Sequence, residues 1–202
     1  MATDVARAGP LEAVLRGRGA SIGVRHGRRV ATHFGSVAGE TSVCLRSVGL
    51  ADRFGRVTLD VRGARHDVDA ALRRIGGLGD HAWMAPVGPN RAVVRCEPPD
   101  EALCRDTLEG EDVLVVDATG DHAALGLVGP CAGAAVRAAR LEEAPFPAAL
   151  LADPDGYEIL VPRQFGPAAW THLLVSGASL GIACVGYDAL EHLAVSRHAA
   201  QR

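Results

Sequence analysis

The chain has 202 residues, of which 48% are hydrophobic, and its formal net charge at pH 7 is -3. This length suits one compact domain or two small ones that share a core. The small net charge argues against nucleic-acid binding, which needs a basic face. All 21 basic residues are arginine, so a lysine Schiff base and a P-loop lysine are excluded. No apolar run reaches the ~20 residues of a membrane span, and we expect no membrane partner.

The cysteines are scattered, and no CxxC motif joins any two of them. We interpret them as small buried side chains in a reducing cytoplasm, without a disulfide framework. The histidines show no HExxH or HxH spacing, so we expect no metal site. The N-terminus has an early Asp4 and no continuous apolar core, which is not the pattern of a secretory signal.

Residues 1–9 are predicted to form a disordered tail. A short helix is then expected over 11–16, because Pro10 suits a first helical turn. A hairpin is predicted from strands at 20–24 and 29–34. A glycine-containing loop then leads to an apolar segment over 43–50, to which we assign no element.

The strongest pattern is a supersecondary unit that occurs twice. The first copy reads VGLADRFGRVTLDVRGARHDVDAALRRI, and about sixty residues later the second reads VLVVDATGDHAALGLVGPCAGAAVRAAR. In each copy an apolar segment ends at an aspartate, a strand follows, and then a helix. The first repeat predicts strands at 56–61, 81–85, 91–96 and 112–117, with helices at 66–75 and 99–108. The second predicts strands at 122–128, 148–152, 157–161 and 181–185, with helices at 130–139 and 165–176.

Each repeat therefore has the order β-α-β-β-α-β, which is the ferredoxin-like or split βαβ unit. The predicted fold class is α+β, with two ferredoxin-like repeats packed as one body. The expected limits are a domain over 10–197, repeats at about 52–117 and 118–185, a closing helix at 187–195 and a frayed tail at 198–202.

Two aspartates, Asp52 and Asp117, occupy the same place in the two repeats. Each ends an apolar segment before a turn, where an aspartate commonly accepts hydrogen bonds from backbone N–H groups. General acid or base chemistry is the alternative role. Gly129-Pro130 follows a strand and opens a helix, so it could hold an anion, although a tight strand-to-helix turn explains it as well.

Glu158 is the first candidate for a functional carboxylate. Strand alternation places Tyr157, Ile159 and Val161 on one face and Glu158 with Leu160 on the other. If the helix at 165–176 covers that second face, the carboxylate must be paired or must bind N–H groups of a ligand. Exposure to solvent near the strand edge is the alternative.

A series of short motifs in a fixed order resembles the T-protein (aminomethyltransferase) superfamily, from about Leu15 to Val195. The motifs are Glu40, Arg46, Gly49-Leu50-x-Asp52, Val61-x-Gly63, Val116-Asp117, Leu127-x-Gly129-Pro130-x-Ala132, Asp155-Gly156-Tyr157-Glu158-Ile159-Leu160-Val161-Pro162, Trp170-x-x-Leu173 and Gly186-x-x-Ala189-Leu190. Members include the glycine-cleavage T-protein, iron–sulfur-assembly relatives, and the folate-domain and γ subunits of heterotetrameric sarcosine oxidase.

The resemblance implies two ferredoxin-like units interleaved around a channel. In full-length members tetrahydrofolate lies in that channel, and the glutamate of the GYE motif holds its pterin. That role would fall on Glu158. The resemblance also implies a body without the C-terminal barrel domain of full T-proteins, closest in layout to the sarcosine oxidase γ subunit.

The chain departs from the family in three places. Asp52-Arg53-Phe54-Gly55 stands where the family has Asp-(Leu/Val)-Ser-His. The aspartate pair that includes the family's catalytic carboxylate has no visible equivalent. The final helix has Leu193-Ala194-Val195-Ser196 in place of Leu-Arg-Leu-Glu.

Three functions remain open from the sequence. The first is a degenerate, non-catalytic or accessory subunit of a folate-linked or amine-oxidising complex, partnered by a larger oxidoreductase subunit or by a second copy of the chain. The second is a stand-alone small-molecule enzyme of secondary metabolism that re-uses the folate channel, with Glu158, Asp52 or Asp117 as its acid or base. The third is a folate-dependent methyl or aminomethyl transferase.

Overall fold

The computed structural model describes residues 6–109, 112–153 and 155–200, with side chains as far as Ser196. Within these residues the helices are α1 Glu12–Gly17, α2 Val37–Arg46, α3 Arg65–Gly76, α4 Glu101–Leu108, α5 Ala132–Ala139, α6 Gly166–Ser176 and α7 Tyr187–Ala200. The strands are β1 Arg7–Ala8, β2 Ser21–Arg25, β3 Arg28–His33, β4 Gly49–Asp52, β5 Val57–Gly63, β6 Ala82–Gly88, β7 Arg91–Cys96, β8 Val113–Asp117, β9 His122–Val128, β10 Ala149–Asp153, β11 Gly156–Pro162 and β12 Ala183–Cys184. Among the described helices, none is both long and apolar enough to cross a membrane.

The N-terminal part differs from the prediction in two ways. Arg7–Ala8, inside the predicted disordered tail, forms β1 and pairs in parallel with β3. The rest of that tail over 1–5 lies outside the described residues. The unassigned apolar segment is divided between α2 and β4. Helix α2 was missed because its start signal is a single side chain, Ser36, whose Oγ accepts the Gly39 N–H at 3.1 Å.

The first repeat forms one four-stranded sheet with the order β6-β7-β5-β8. All its neighbouring strands are antiparallel, and this is the strand order that a complete ferredoxin-like unit requires. Helices α3 and α4 cover one face, where the inward residues of β5 and β7 are buried against Ala71, Ile75 and Leu108. These four strands and two helices therefore share one sheet and one buried cluster.

The second sheet is not made by the second repeat alone. Its order is β10-β11-β9-β4-β12, so β4 lies between β9 and β12. Leu50 of β4 pairs with Leu127 of β9, and both side chains are fully buried in the larger core. Strand β12 then pairs in parallel with β4. The segment just before the predicted boundary at about residue 52 therefore does not join the sheet of the first repeat. It contributes β4 to the second sheet.

The two sheets meet through their uncovered faces. A buried cluster joins Ala85 and Val93 of the first sheet to Ala124, Leu151 and Leu160 of the second. Helices α5 and α6 lie on the opposite face of the second sheet, against Ile159 and Val161. The two repeats are therefore packed as one α+β body, as predicted. The last helix extends past the predicted frayed start at 198 to Ala200, and residues 201–202 lie outside the described part of the chain.

Candidate functional site

Glu158 lies in the middle of β11 with 2% of its side chain exposed. Its face of the strand is covered by the first sheet, because Leu160 on the same face packs against Val93. The helix over 165–176, one of the two surroundings considered for Glu158, packs instead on the side of Ile159 and Val161. The alternative of solvent exposure is also excluded, and the carboxylate is therefore held between two sheets.

Both oxygens of the Glu158 carboxylate are engaged by arginine. Arg56 Nη1 donates to Oε2 at 2.8 Å. Arg95 Nε lies 2.5 Å from Oε1, in an ion contact that lacks the alignment of a hydrogen bond. This second contact neutralises the charge of the carboxylate, but it gives neither Arg95 Nε nor Glu158 Oε1 a hydrogen bond. A buried carboxylate needs such compensation, because its desolvation costs several kcal/mol.

Arg95 organises the loop between β4 and β5. Its side chain is 1% exposed, and burial lowers the pKa of its guanidinium. Nη2 donates to the Arg53 carbonyl at 2.9 Å, Nη1 reaches the Arg56 carbonyl at 3.4 Å, and Nη1 also donates to Thr58 Oγ1. Arg95 therefore fixes the backbone that carries the other two arginines of the site.

Arg56 is the most heavily paired cation of the cluster. Besides Glu158, it donates to Asp153 through Nη1 and to Glu97 Oε1 through Nε at 2.7 Å. Its guanidinium also lies 4.2 Å from the centre of the Trp83 ring. Burial acts to lower its pKa, but the surrounding carboxylates outweigh burial and raise it. Arg56 is thus a permanent cation that joins both sheets.

Asp52 and Asp117 form the same local structure in different surroundings. Asp52 Oδ1 accepts the Phe54 N–H at 3.0 Å, and Asp117 Oδ1 accepts the Thr119 N–H at 2.9 Å. Their predicted turn-forming role is therefore confirmed. Burial raises the pKa of Asp52 to about 7. Burial also acts to raise the pKa of Asp117, but the hydrogen bonds from Thr119 outweigh it and lower the pKa.

Arg53 points across β9 and is much less well compensated. Its side chain is 8% exposed, and Nη2 lies 3.9 Å from an oxygen of Asp153 and of Asp155. Within the described residues, Nε and Nη2 have no hydrogen-bond partner. Burial, followed by repulsion from Arg56, lowers its pKa. Gly126 makes room for it, since a Cβ there would meet Nε at 2.7 Å.

Three of the cavities formed by the described residues lie near this cluster, and none of these three is lined by Glu158, Asp52 or Asp117. A groove of about 530 Å³ lies beside the contact between β6 and β10, and its polar lining includes Arg91 and His122. A shallow depression of about 610 Å³ lies at the Gly129 turn. The third, of about 130 Å³, is lined by Arg53 and Arg56. Among the described residues, no group of His, Cys, Asp or Glu is arranged to hold a metal ion.

The Gly129-Pro130 turn has an architectural role in this structure. Gly129 has a φ of 121°, and a Cβ there would meet the Cys44 carbonyl oxygen at 2.5 Å. The following N–H, of Cys131, donates to the Ser47 carbonyl at 3.0 Å. The backbone approach requires glycine and already uses one of the donors that an anion would need.

Sequence reasoning missed Arg53, Arg56, Arg95 and Asp153. One signal was present, because Arg95 interrupts an apolar strand and shares the inward face of Val93. Arg53 was visible only as a departure from a family motif, and Arg56 only as the first residue of a predicted strand. Their partners come from strands far away in sequence, and no local spacing indicates which face of one sheet meets the other.

No family model matches the sequence, and no curated protein matches it. By structure, the chain is similar to the glycine cleavage system aminomethyltransferase T from Bartonella henselae, with a TM-score of 0.67 and 21% identity over 91% of this chain and 60% of that chain. It is also similar to the heterotetrameric sarcosine oxidase from Corynebacterium sp. U-96, with a TM-score of 0.46 and 16% identity over 73% of this chain and 93% of that chain. The first likeness shows that the chain has a T-protein-like fold, as its motifs predicted, and spans about three fifths of that relative.

Proposed function

We propose that this T-protein-like module is non-catalytic and serves as an accessory part of an assembly. The observation that carries the proposal is the engagement of both Glu158 carboxylate oxygens by Arg56 and Arg95. A catalytic or ligand-binding carboxylate needs at least one oxygen that can reach the substrate. In this chain the protein's own cations take that place, so Glu158 joins the two sheets.

The site does not fit tetrahydrofolate in the way the family resemblance implies. A pterin held by Glu158 would donate N–H groups to the oxygens that now face Arg56 and Arg95. Displacing Arg95 would leave a buried guanidinium without the carboxylate that it contacts, which is strongly destabilising. Displacing Arg56 would break one of its three carboxylate contacts. We therefore derive no chemistry through folate for this chain.

The other two candidate carboxylates are also engaged. Asp52 and Asp117 accept hydrogen bonds within their own turns, and neither lines the cavities described above. The pKa of about 7 at Asp52 is suitable for acid–base work. Its carboxyl group is buried and lines none of the three cavities described above, and this disfavours the stand-alone enzyme.

The free edge of the first sheet supports the accessory role. Among the strands that the structure describes, β8 pairs only with β5, so its outer backbone groups face away from the sheet. Leu114 and Val116 lie on one face of this edge, with 60% and 41% exposed. An exposed apolar edge strand is a template for pairing with another chain. A partner of the folate-linked or amine-oxidising type stays a prediction from the resemblance.

Calorimetric titration of the full chain with tetrahydrofolate tests the non-catalytic assignment. We expect no saturable heat at millimolar ligand. Glu158→Gln serves as the matched variant, because it keeps the shape and removes the charge. Saturable binding that this variant abolishes would overturn the proposal in favour of a folate-dependent transferase.

Sedimentation velocity at increasing concentration tests the β8 edge with a second copy as the partner. We expect reversible self-association that Leu114→Lys abolishes, whereas Val175→Lys, at an exposed position on α6, leaves it unchanged. If the unmodified chain is a monomer throughout, or if both variants behave alike, the edge is not a contact between copies.

A further inference from the structure

The groove beside β6 and β10 continues the interface between the two sheets. Glu158, Leu160 and Pro162 share one face of β11, because alternate residues of a strand point to the same side. Leu160 packs against Val93 in the buried cluster, and these two side chains also line the groove. Pro162 lines it as well, whereas Glu158 does not. The groove therefore lies on the side of the apolar cluster that faces away from the Glu158 ion pairs.

The walls of the groove are apolar and rigid. Its volume of about 530 Å³ lies within the range of roughly 300–1,000 Å³ that holds a small organic ligand. Val87 and Leu150 line it and remain partly exposed, as is typical of apolar side chains in a binding groove. Pro86, Pro147 and Pro162 belong to the same walls, and the ring of proline fixes its backbone φ. The groove is therefore largely formed before a ligand enters, which reduces the cost of binding.

Arg91 brings a positive charge to this groove. Its side chain shares a face of β7 with Val93 and therefore extends into the space between the sheets. Nε donates to Asp60 Oδ1 at 2.7 Å, and the side chain is 43% exposed. Within the described residues, the two Nη atoms have no hydrogen-bond partner. Two adjacent donors of this guanidinium are therefore open to a ligand.

The charge of Arg91 is only partly compensated. Asp60, with 2% of its side chain exposed, accepts hydrogen bonds from Arg91 on Oδ1 and from Arg62 on Oδ2. One carboxylate thus serves two guanidinium groups. Asp60, and more weakly Asp121, raise the pKa of Arg62, whereas in the described chain Arg91 has an ion pair with Asp60 alone. No acidic side chain is among the residues that line the groove, so an anionic group there meets a cation without a competing carboxylate.

His122 is the second polar residue of the lining. Its Nδ1 lies 3.2 Å from the carbonyl oxygen of Ala118. Because a carbonyl oxygen can only accept, Nδ1 carries the proton of this hydrogen bond and the ring is held in one orientation. The imidazole is therefore a fixed part of the wall, and its NMR resonances report on the occupancy of the groove.

We propose that this groove binds a small apolar monocarboxylate, with its carboxylate on the Nη groups of Arg91 and its hydrocarbon body between Val87 and Leu150. A cation would be repelled by Arg91, and an uncharged molecule would leave its donors unused. The site goes beyond the proposed accessory role. It does not rest on that role, because neither Glu158 nor any residue of β8 lines the groove.

Calorimetry on the full chain tests the ligand class with phenylbutyrate, phenylbutanol, phenylbutylamine and butyrate as separate probes. We expect saturable binding of phenylbutyrate. Phenylbutanol should bind at least about tenfold more weakly, because it cannot accept charge-assisted hydrogen bonds as a carboxylate does. Phenylbutylamine should bind more weakly still, since its charge has the same sign as that of Arg91. Butyrate should also lose at least about tenfold, because it buries no aromatic ring.

Three outcomes of this titration would overturn the proposal. Equal affinity for phenylbutanol and phenylbutyrate would remove the carboxylate assignment. Equal affinity for butyrate and phenylbutyrate would remove the apolar body. If phenylbutyrate shows no saturable binding at millimolar concentration, the groove is not a site for this class of ligand.

Arg91→Gln tests the position of the carboxylate. This variant should bind phenylbutyrate at least about tenfold more weakly and phenylbutanol with unchanged affinity. Asp60 keeps its hydrogen bonds from Arg62, so the buried carboxylate still has a cation. Arg62→Gln is the matched control, because Arg62 binds the same carboxylate but does not line the groove. It should weaken phenylbutyrate binding at most about threefold. Equal losses in the two variants would contradict the contact with Arg91.

Leu150→Ala tests the position of the hydrocarbon body. It should weaken phenylbutyrate and phenylbutanol alike, by about threefold or more, because apolar area is lost from the wall. Leu103→Ala, at a similarly exposed position on α4, is the control and should change neither affinity. If the two variants bind with the same affinity, the hydrocarbon body lies elsewhere.

NMR of the unmodified chain locates the ligand without any substitution. The imidazole resonances of His122 should shift during a phenylbutyrate titration, with the same saturation as in calorimetry. Unchanged His122 resonances at saturating phenylbutyrate would place the ligand outside the groove and would overturn the proposal.

Discussion

The third strand of each repeat brings one buried charge to the interface between the sheets, and the two charges are opposite. Strand β7 contributes Arg95 and strand β11 contributes Glu158, whose side chains are 1% and 2% exposed. The repeats share an order of elements but not a composition at this point. Because the two charges are opposite, the buried arginine of the first repeat neutralises the buried glutamate of the second. This contact also explains why Glu158 is not free for a ligand.

Removing one member of this pair should give the largest effect in the molecule. Arg95→Met or Glu158→Leu leaves the other charge buried and poorly compensated, so we expect a loss of about 3–5 kcal/mol in the free energy of unfolding. The double variant should lose clearly less than the sum of the two, because neither charge then remains. Urea unfolding of all four chains measures the coupling.

The matched control for this cycle is the pair Arg105 and Glu101 on α4. Both side chains are about one third exposed, and Arg105 Nε donates to Glu101 Oε1 at 2.9 Å. Arg105→Met should lose only about 0.3–0.5 kcal/mol. If Arg95→Met is no more costly than Arg105→Met, the charges of the two repeats do not complement each other.

Asp52 and Asp117, at the turns of the two repeats, should change the stability of the chain with pH in opposite directions. The folded-state pKa of Asp52 is raised to about 7, so the folded chain holds a proton that the unfolded chain has released. Stability therefore falls as pH rises from about 4 to about 7. The pKa of Asp117 is lowered, so its contribution is present above its ordinary pKa and is lost as pH falls through the folded value.

Asp52→Asn should remove the first dependence and keep the turn, because an amide oxygen can still accept the Phe54 N–H. Relative to the unmodified chain, this variant should gain roughly 2 kcal/mol between pH 5 and pH 8, since one pKa unit corresponds to about 1.4 kcal/mol. Asp117→Asn is the matched variant and should show no such gain. Parallel pH profiles in urea unfolding would show that the two turns are electrostatically equivalent.

The smallest effect is expected at the Asp117 turn itself. Asp117→Ala removes the hydrogen bonds from the N–H and Oγ1 of Thr119, and Thr119 Oγ1 in turn accepts the Thr58 N–H. We expect a loss of about 1 kcal/mol, visible as a lower midpoint of thermal unfolding. Asp117→Asn should retain most of that stability, and an equal loss in both variants would assign the effect to charge and not to the turn.

Most of the secondary structure could be predicted from the sequence because its signals are local. The helix over Arg65–Gly76 and the strands Arg91–Cys96 and His122–Val128 follow from periodicity and from the turn residues around them. The short strand β4 was missed, since a few apolar residues after a helix carry no distinct period. Its insertion between β9 and β12 depends on pairing across the chain.

The candidate site was predicted only in part, for a related reason. Alternation correctly placed Glu158 on the face opposite Ile159, and the need for compensation of a buried carboxylate was foreseen. Its partners could not be identified, because Arg56 and Arg95 are 102 and 63 positions away, one directly before β5 and the other in β7 of the other sheet. Strand periodicity indicates the face of a side chain but not what packs against that face.

The contact between Gly126 and Arg53 has a consequence for related sequences. The Arg53 side chain lies directly against it, and a Cβ at 126 would meet Arg53 Nε at 2.7 Å. A chain with any larger residue at 126 would have to move this arginine. Glycine at 126 and arginine at 53 are therefore expected to change together during evolution. The pair, read with Arg95, offers a compact signature for finding chains that share this charged interior when overall identity is too low to reveal them.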